Sequence, residues 1–155
     1  MERIKFDLDE LKLSANEMSS TLKTALKYFF NDPQNKILLD NSDFDRLYSS
    51  WVTNTTGWSP RPVTAILLLS GIDFLPYLKN IPYNCFYDMP IDYISIPKNI
   101  KEINNDAFYR INVSKIYYEG TMEEFKSINL KERWSMGLER VICTDGEING
   151  LQRVV

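Results

Sequence analysis

Histidine is missing from all 155 residues. Its absence removes the commonest general base, the commonest zinc ligand and every nucleophile system built on a Ser–His or Cys–His pair. Cysteine is scarce: Cys85 and Cys143 are the only two, too few for a disulfide framework and in keeping with a reduced, cytoplasmic setting. Long apolar runs are lacking too. "AILLLSGI" is interrupted by Ser70 and Gly71 and falls well short of the roughly 18 residues that signal a membrane span. The opening "MERIKFDLDELKL" has no continuous apolar core of the signal-peptide kind. Nor is there a strong excess of one charge. With 18 Lys and Arg against 21 Asp and Glu, the net charge is −3 and the signs are interspersed. A nucleic-acid groove has no basic stripe to rest on, and the acidity is too mild for DNA mimicry. No glycine-rich phosphate loop, CxxC pair or EF-hand pattern occurs.

What is present is the composition of a folded protein, 44% hydrophobic and 25% charged, with a length that suits one ordinary domain or two small ones sharing a core. Between Leu8 and Phe29 the apolar residues Leu11, Ala15, Met18, Leu22, Ala25, Leu26 and Phe29 fall on one face of a helix. Asp7 or Asp9 caps its start, and Asn31 with Pro33 ends it. A second helix is predicted from Ser42, with Phe44, Leu47, Tyr48, Trp51 and Val52 as its buried stripe. "PRPVTAILLLSG" is a third, apolar nearly all round and so expected at the centre, and Asp73 opens a short fourth segment, "FLPYLKN".

After Lys79 the chain repeats itself. A shift of 22 residues lays "IPYNCFYDMPIDYISIP" on "INNDAFYRINVSKIYYE", pairing Ile81 with Ile103, Asn84 with Asp106, Cys85 with Ala107, Phe86 with Phe108 and Tyr87 with Tyr109. Each unit offers a small residue and Phe, then a strand with apolar residues at its first, fourth and sixth positions: Ile91, Ile94 and Ile96, then Val113, Ile116 and Tyr118. Leu138, Val141 and Cys143 repeat that spacing in "LERVICT". Cys85 fills the slot of a small core residue, which suits a buried structural thiol. "TMEE" places Glu124 where a capping box begun by Thr121 requires it, opening a helix that buries Phe125 and Ile128. "DG" at Asp145-Gly146 and "NG" at Asn149-Gly150 are turn signals, after which "LQRVV" is expected to return as an edge strand.

The order of "ISIPKNIKEINNDAFYRINVSKIYYEGTMEEF" and the ending "VICTDG" resembles the BspA-type leucine-rich repeat family over about Ile81 to Gly146, with Phe125 where Trp is usual. The fold expected is α+β. An N-terminal helical subdomain of three to four helices (residues 1–80) packs on a short leucine-rich-repeat β-solenoid with a helical closing unit (residues 81–155), and one core runs through both. Side chains between the inward positions face out: Tyr93 and Ser95, then Lys115, Tyr117 and Glu119, then Arg140, Ile142 and Thr144. These eight are the candidate protein-binding residues, because Tyr and Arg are enriched at interface hot spots; as ordinary strand formers they would instead make only cross-strand pairs. The resemblance implies a non-enzymatic protein–protein interaction module with a protein partner, and the mixed charge, short apolar runs and missing motifs lead us to expect no nucleic acid, no membrane, no cofactor and no metal. Small proteins of this pattern in bacteria and bacteriophages further suggest an interactor or inhibitor of a host protein or defence system, in the host cytoplasm. The alternative is a virion or assembly component acting through self-association.

Overall fold

The computed structural model describes residues 3–6, 60–69 and 73–151. In chain order these form β1 (Ile4–Phe6), α1 (Arg61–Leu69), a 3-10 turn (Leu75–Tyr77), β2 (Asn80–Ile81), β3 (Ile91–Ile96), β4 (Glu102–Ile103) and β5 (Lys115–Tyr118). Then come α2 (Met122–Lys126), β6 (Asn129–Leu130), β7 (Arg140–Cys143) and β8 (Gly146–Ile148).

Each repeat contributes one strand to each of two sheets. The short strands β2, β4 and β6 form a parallel sheet, while β3, β5 and β7 lie parallel in the middle of a five-stranded sheet ordered β1-β3-β5-β7-β8. Pairing of Asn80 with Glu102 and of Ser95 with Tyr117 keeps the 22-residue period through the first two units. The next unit pairs Glu102 with Asn129, because α2 is inserted before it. Between the sheets run tight turns over residues 83–88, 105–110 and 132–137. Asn84 (φ 58°) and Asp106 (φ 54°) hold left-handed backbone there. Asn and Asp tolerate that region better than other residues with a β-carbon, which is why these two positions match across the repeat.

Adjacent turns are tied by backbone bonds, Phe86 N–H donating to Ala107 O (2.9 Å) and Asp88 N–H to Tyr109 O (2.9 Å). Inside, Phe74, Phe86 and Phe108 stack in a ladder with centroids 6.0 and 5.8 Å apart. Tyr118, Phe125 and Trp134 close its end, the first pair edge-on at 5.1 Å and the second tilted at 5.5 Å. A single buried cluster runs from Val63 in α1 to Cys143 in β7. Every described side chain of α1 is buried, so this helix acts as an internal strut. Asn99 fastens the 3-10 turn to the repeats, donating to Leu75 O and Leu78 O at 3.0 and 2.7 Å.

The structure departs from the expected α+β arrangement. Among the described residues there are two short α-helices, nine and five residues long, and the other regular elements are strands apart from one 3-10 turn. They contain no N-terminal subdomain of three to four helices and no closed solenoid. The physical reasons are local. "RPVTAILLL" is too apolar to present a solvent face as a bundle member would, and Pro76 confines "FLPYLKN" to the turn at Leu75–Tyr77. At the start of the chain, β1 pairs antiparallel with β3, and at the end β8 pairs antiparallel with β7. Both sides of the parallel stack are thereby bordered by antiparallel strands. The helices expected at Leu8–Phe29 and from Ser42 lie outside the described residues. The strand that returns over β7 is β8 itself, placed before "LQRVV", of which only Leu151 is described.

Candidate protein-binding face

Strand alternation builds the outer face of the five-stranded sheet. Ile94, Ile96, Ile116, Tyr118, Val141 and Cys143 turn into the core, leaving their neighbours on the other side. Register then lines these neighbours up. Lys115 lies opposite Arg140, and Ser95, Tyr117 and Ile142 form a transverse row. The same register sets Tyr93 beside Lys115.

The rings of Tyr93 and Tyr117 meet at 4.7 Å with a 31° tilt, and Lys115 Nζ stands 5.7 Å from the Tyr117 centroid. Such an exposed cation–π contact contributes about 0.5–1 kcal/mol. Arg140 Nη1 reaches Glu147 Oε2 at 3.4 Å. Tyr93, Lys115, Tyr117, Arg140 and Ile142, all half-buried, thus form one contiguous patch on a fixed floor.

The other three candidates are placed differently. Ser95 is only 3% exposed, a correction to its expected outward exposure. β1 is the reason: Ser95 N–H donates to Arg3 O at 2.7 Å, and the Arg3 side chain extends over β3. Its Nε reaches Glu119 Oε2 and its Nη1 reaches Asp73 Oδ2, each at 3.0 Å. Glu119 is therefore already engaged. The hydrogen bond to Asp73, with further support from Glu119, raises the Arg3 pKa against the opposing effect of burial. Thr144 is exposed in the β7–β8 turn, its N–H donating to Gly120 O at 2.9 Å.

Sequence reasoning missed Arg3, Lys5, Asp73 and Glu147 as members of this surface. The alternation in "RIKF" was the available signal, but four residues do not reveal that their partner strand lies some ninety positions on.

Both thiols are buried. Cys85 is fully buried with Thr64 Oγ1 3.6 Å from its sulfur, and burial pushes the Cys143 thiol pKa up, away from the thiolate. Among the described residues no group of three or more Cys, Asp or Glu is placed to hold a metal ion, and no helix is long and apolar enough to cross a membrane.

Residues 67–142 match the family described as the BspA type leucine-rich repeat region (6 copies). This segment is a BspA-type leucine-rich repeat region. The match begins inside α1, upstream of the repeat legible at Ile81, and includes Phe74, which stacks on Phe86 in the Phe ladder. Leucine-rich repeat regions point to protein–protein interaction, and such a region is typically a non-catalytic module. No curated protein and no solved structure matches the chain.

Proposed function

We propose that the chain is a non-enzymatic protein-binding module that engages its partner through the outer face of β3, β5 and β7. The observation that carries this reading is the Tyr93–Tyr117 ring pair flanked by Lys115, Arg140 and Ile142. Aromatic and Arg side chains on a rigid floor combine large contact area with a small ordering cost. Glu119 and Thr144 form the rim, and Ser95, in the row of Tyr117, is covered by Arg3. The finer reading, a phage-encoded interactor of a host protein in the host cytoplasm, rests on the resemblance to small accessory proteins.

A pull-down from a bacterial lysate with tagged wild type and the Tyr117→Ala/Arg140→Ala variant tests the face. The expected result is a stoichiometric partner retained by wild type and lost by the variant, with equal melting temperatures. Equal retention by both proteins would move the binding surface elsewhere. Self-association in place of capture, seen as a concentration-dependent mass, would favour the assembly reading.

A further inference from the structure

The binding face carries an ordered line of cations. Lys5 lies opposite Tyr93, and Lys115 lies opposite Arg140, so one transverse row reads Lys5, Tyr93, Lys115, Arg140 across β1, β3, β5 and β7. Strands lie about 4.8 Å apart, which makes this row roughly 14 Å long. Among the described residues Lys5 and Lys115 have no carboxylate partner, whereas Asp73 and Glu119 are both held by Arg3. Arg140 is tied only to the exposed Glu147 at 3.4 Å, a surface contact that an incoming carboxylate readily replaces. The row is thus locally positive in a chain whose net charge is −3.

We propose that the partner presents a short acidic protein segment, laid across the strands along this row. Its carboxylates meet Lys5, Lys115 and Arg140 while an apolar or aromatic side chain packs on the Tyr93–Tyr117 pair. The row's length corresponds to about four or five extended residues. The inference rests on the binding-face reading above and adds the chemistry of the ligand. A single-stranded nucleic acid also combines cations with ring faces. Its regularly spaced phosphates would require the positive track to continue, whereas the row holds three cations and ends at Arg140.

The test pans a random peptide library displayed on phage against the immobilised full chain. Synthetic versions of the enriched peptides and an oligothymidine are then titrated by fluorescence polarisation. Three variants accompany wild type: Tyr117→Ala, Lys5→Gln/Lys115→Gln and Lys5→Glu/Lys115→Glu, each checked for unchanged melting temperature. The expected peptides cluster Asp and Glu, bind more weakly as salt rises, and lose about tenfold in affinity with the charge-reversed variant. Neutral or basic peptides that need Tyr117 but neither lysine would overturn the acidic partner and leave the binding face standing. If no peptide distinguishes wild type from Tyr117→Ala, both readings fall. Oligothymidine binding that is tighter than any peptide and lost with the lysines would replace the protein segment by a nucleic acid.

Discussion

Thr121 and Glu124 show how single side chains close the repeat region. Glu124 N–H donates to Thr121 Oγ1 at 3.1 Å, and Thr121 N–H donates to Glu124 Oε1 at 3.0 Å, the reciprocal bonds of a capping box. A third bond links motifs that are distant in sequence: Met122 N–H donates to Asp145 Oδ1 at 2.8 Å. The "GTMEEF" and "TDG" ends thereby become one knot. Gly120 is needed beside it, since a β-carbon there would stand 2.7 Å from the Tyr118 ring. Thr121→Ala is expected to cost about 1 kcal/mol in urea denaturation. The Thr121 backbone N–H, helped by Lys98, lowers the Glu124 pKa. A lowered carboxylate pKa contributes stability above its unfolded value, and that contribution is lost as pH falls through the folded value. Glu124→Gln should therefore flatten the decline of stability on the acid side of the usual carboxylate range, measured as melting temperature against pH. In the turns, Arg110 holds left-handed backbone at φ 63° without the local bonding that Asn or Asp supplies. Arg110→Gly is expected to gain about 0.5–1 kcal/mol, the relief of strain exceeding the loss of its exposed contact to Asp88.

Among the elements, β1 has the largest effect for its size. Three residues cover the edge of β3, bury Ser95 and bring Arg3 and Lys5 onto the same face as Tyr93. What holds β1 is a short ladder plus the two ion pairs of Arg3. Arg3→Ala should accordingly speed hydrogen exchange at the Ser95 amide by about tenfold while leaving that of Val141 unchanged, because local opening follows local contacts. Equal acceleration at both amides would mean that Arg3 stabilises the whole sheet. α1 works in the opposite way, by burial alone, and the Thr64–Cys85 contact places it directly against the first repeat.

Across the whole molecule, stability passes from unit to unit through shared rungs. Phe108 is fully buried, stacks on Phe86 in the neighbouring unit, and sits in the cluster that joins α1 to β7. Phe108→Ala is expected to cost about 3–5 kcal/mol, and denaturant unfolding should remain a single transition. Repeats that bury their apolar side only against neighbours cannot unfold independently of them. A loss below about 1 kcal/mol would show that the ladder does not bear the stack.

Local chemistry with short sequence reach was legible in the chain. The 22-residue period follows from Phe86 and Phe108 forming successive rungs of one ladder, and Asn84 and Asp106 mark the equivalent left-handed position in successive turns. The capping box of Thr121 and Glu124 and the turn at Asp145-Gly146 likewise depend on a few adjacent residues. From these the repeat region, its inward residues other than Val113, which lies before β5, half-buried and outside the core cluster, and the patch of Tyr93, Lys115, Tyr117, Arg140 and Ile142 could be read directly. Three features could not. β1 has too few residues to show a period and pairs with a strand far along the chain. Ser95 looks outward by alternation, and only the Arg3 side chain extending over β3 explains its burial. The two-residue strand β6, which follows α2, carries no pattern of its own, and only the pairing of Glu102 with Asn129 reveals it. Sequence alone determined the repeat unit, because its period is written in side chains that meet their own copies. Tertiary structure decided what borders the sheet and which cations share its face, because those contacts join segments with no common pattern.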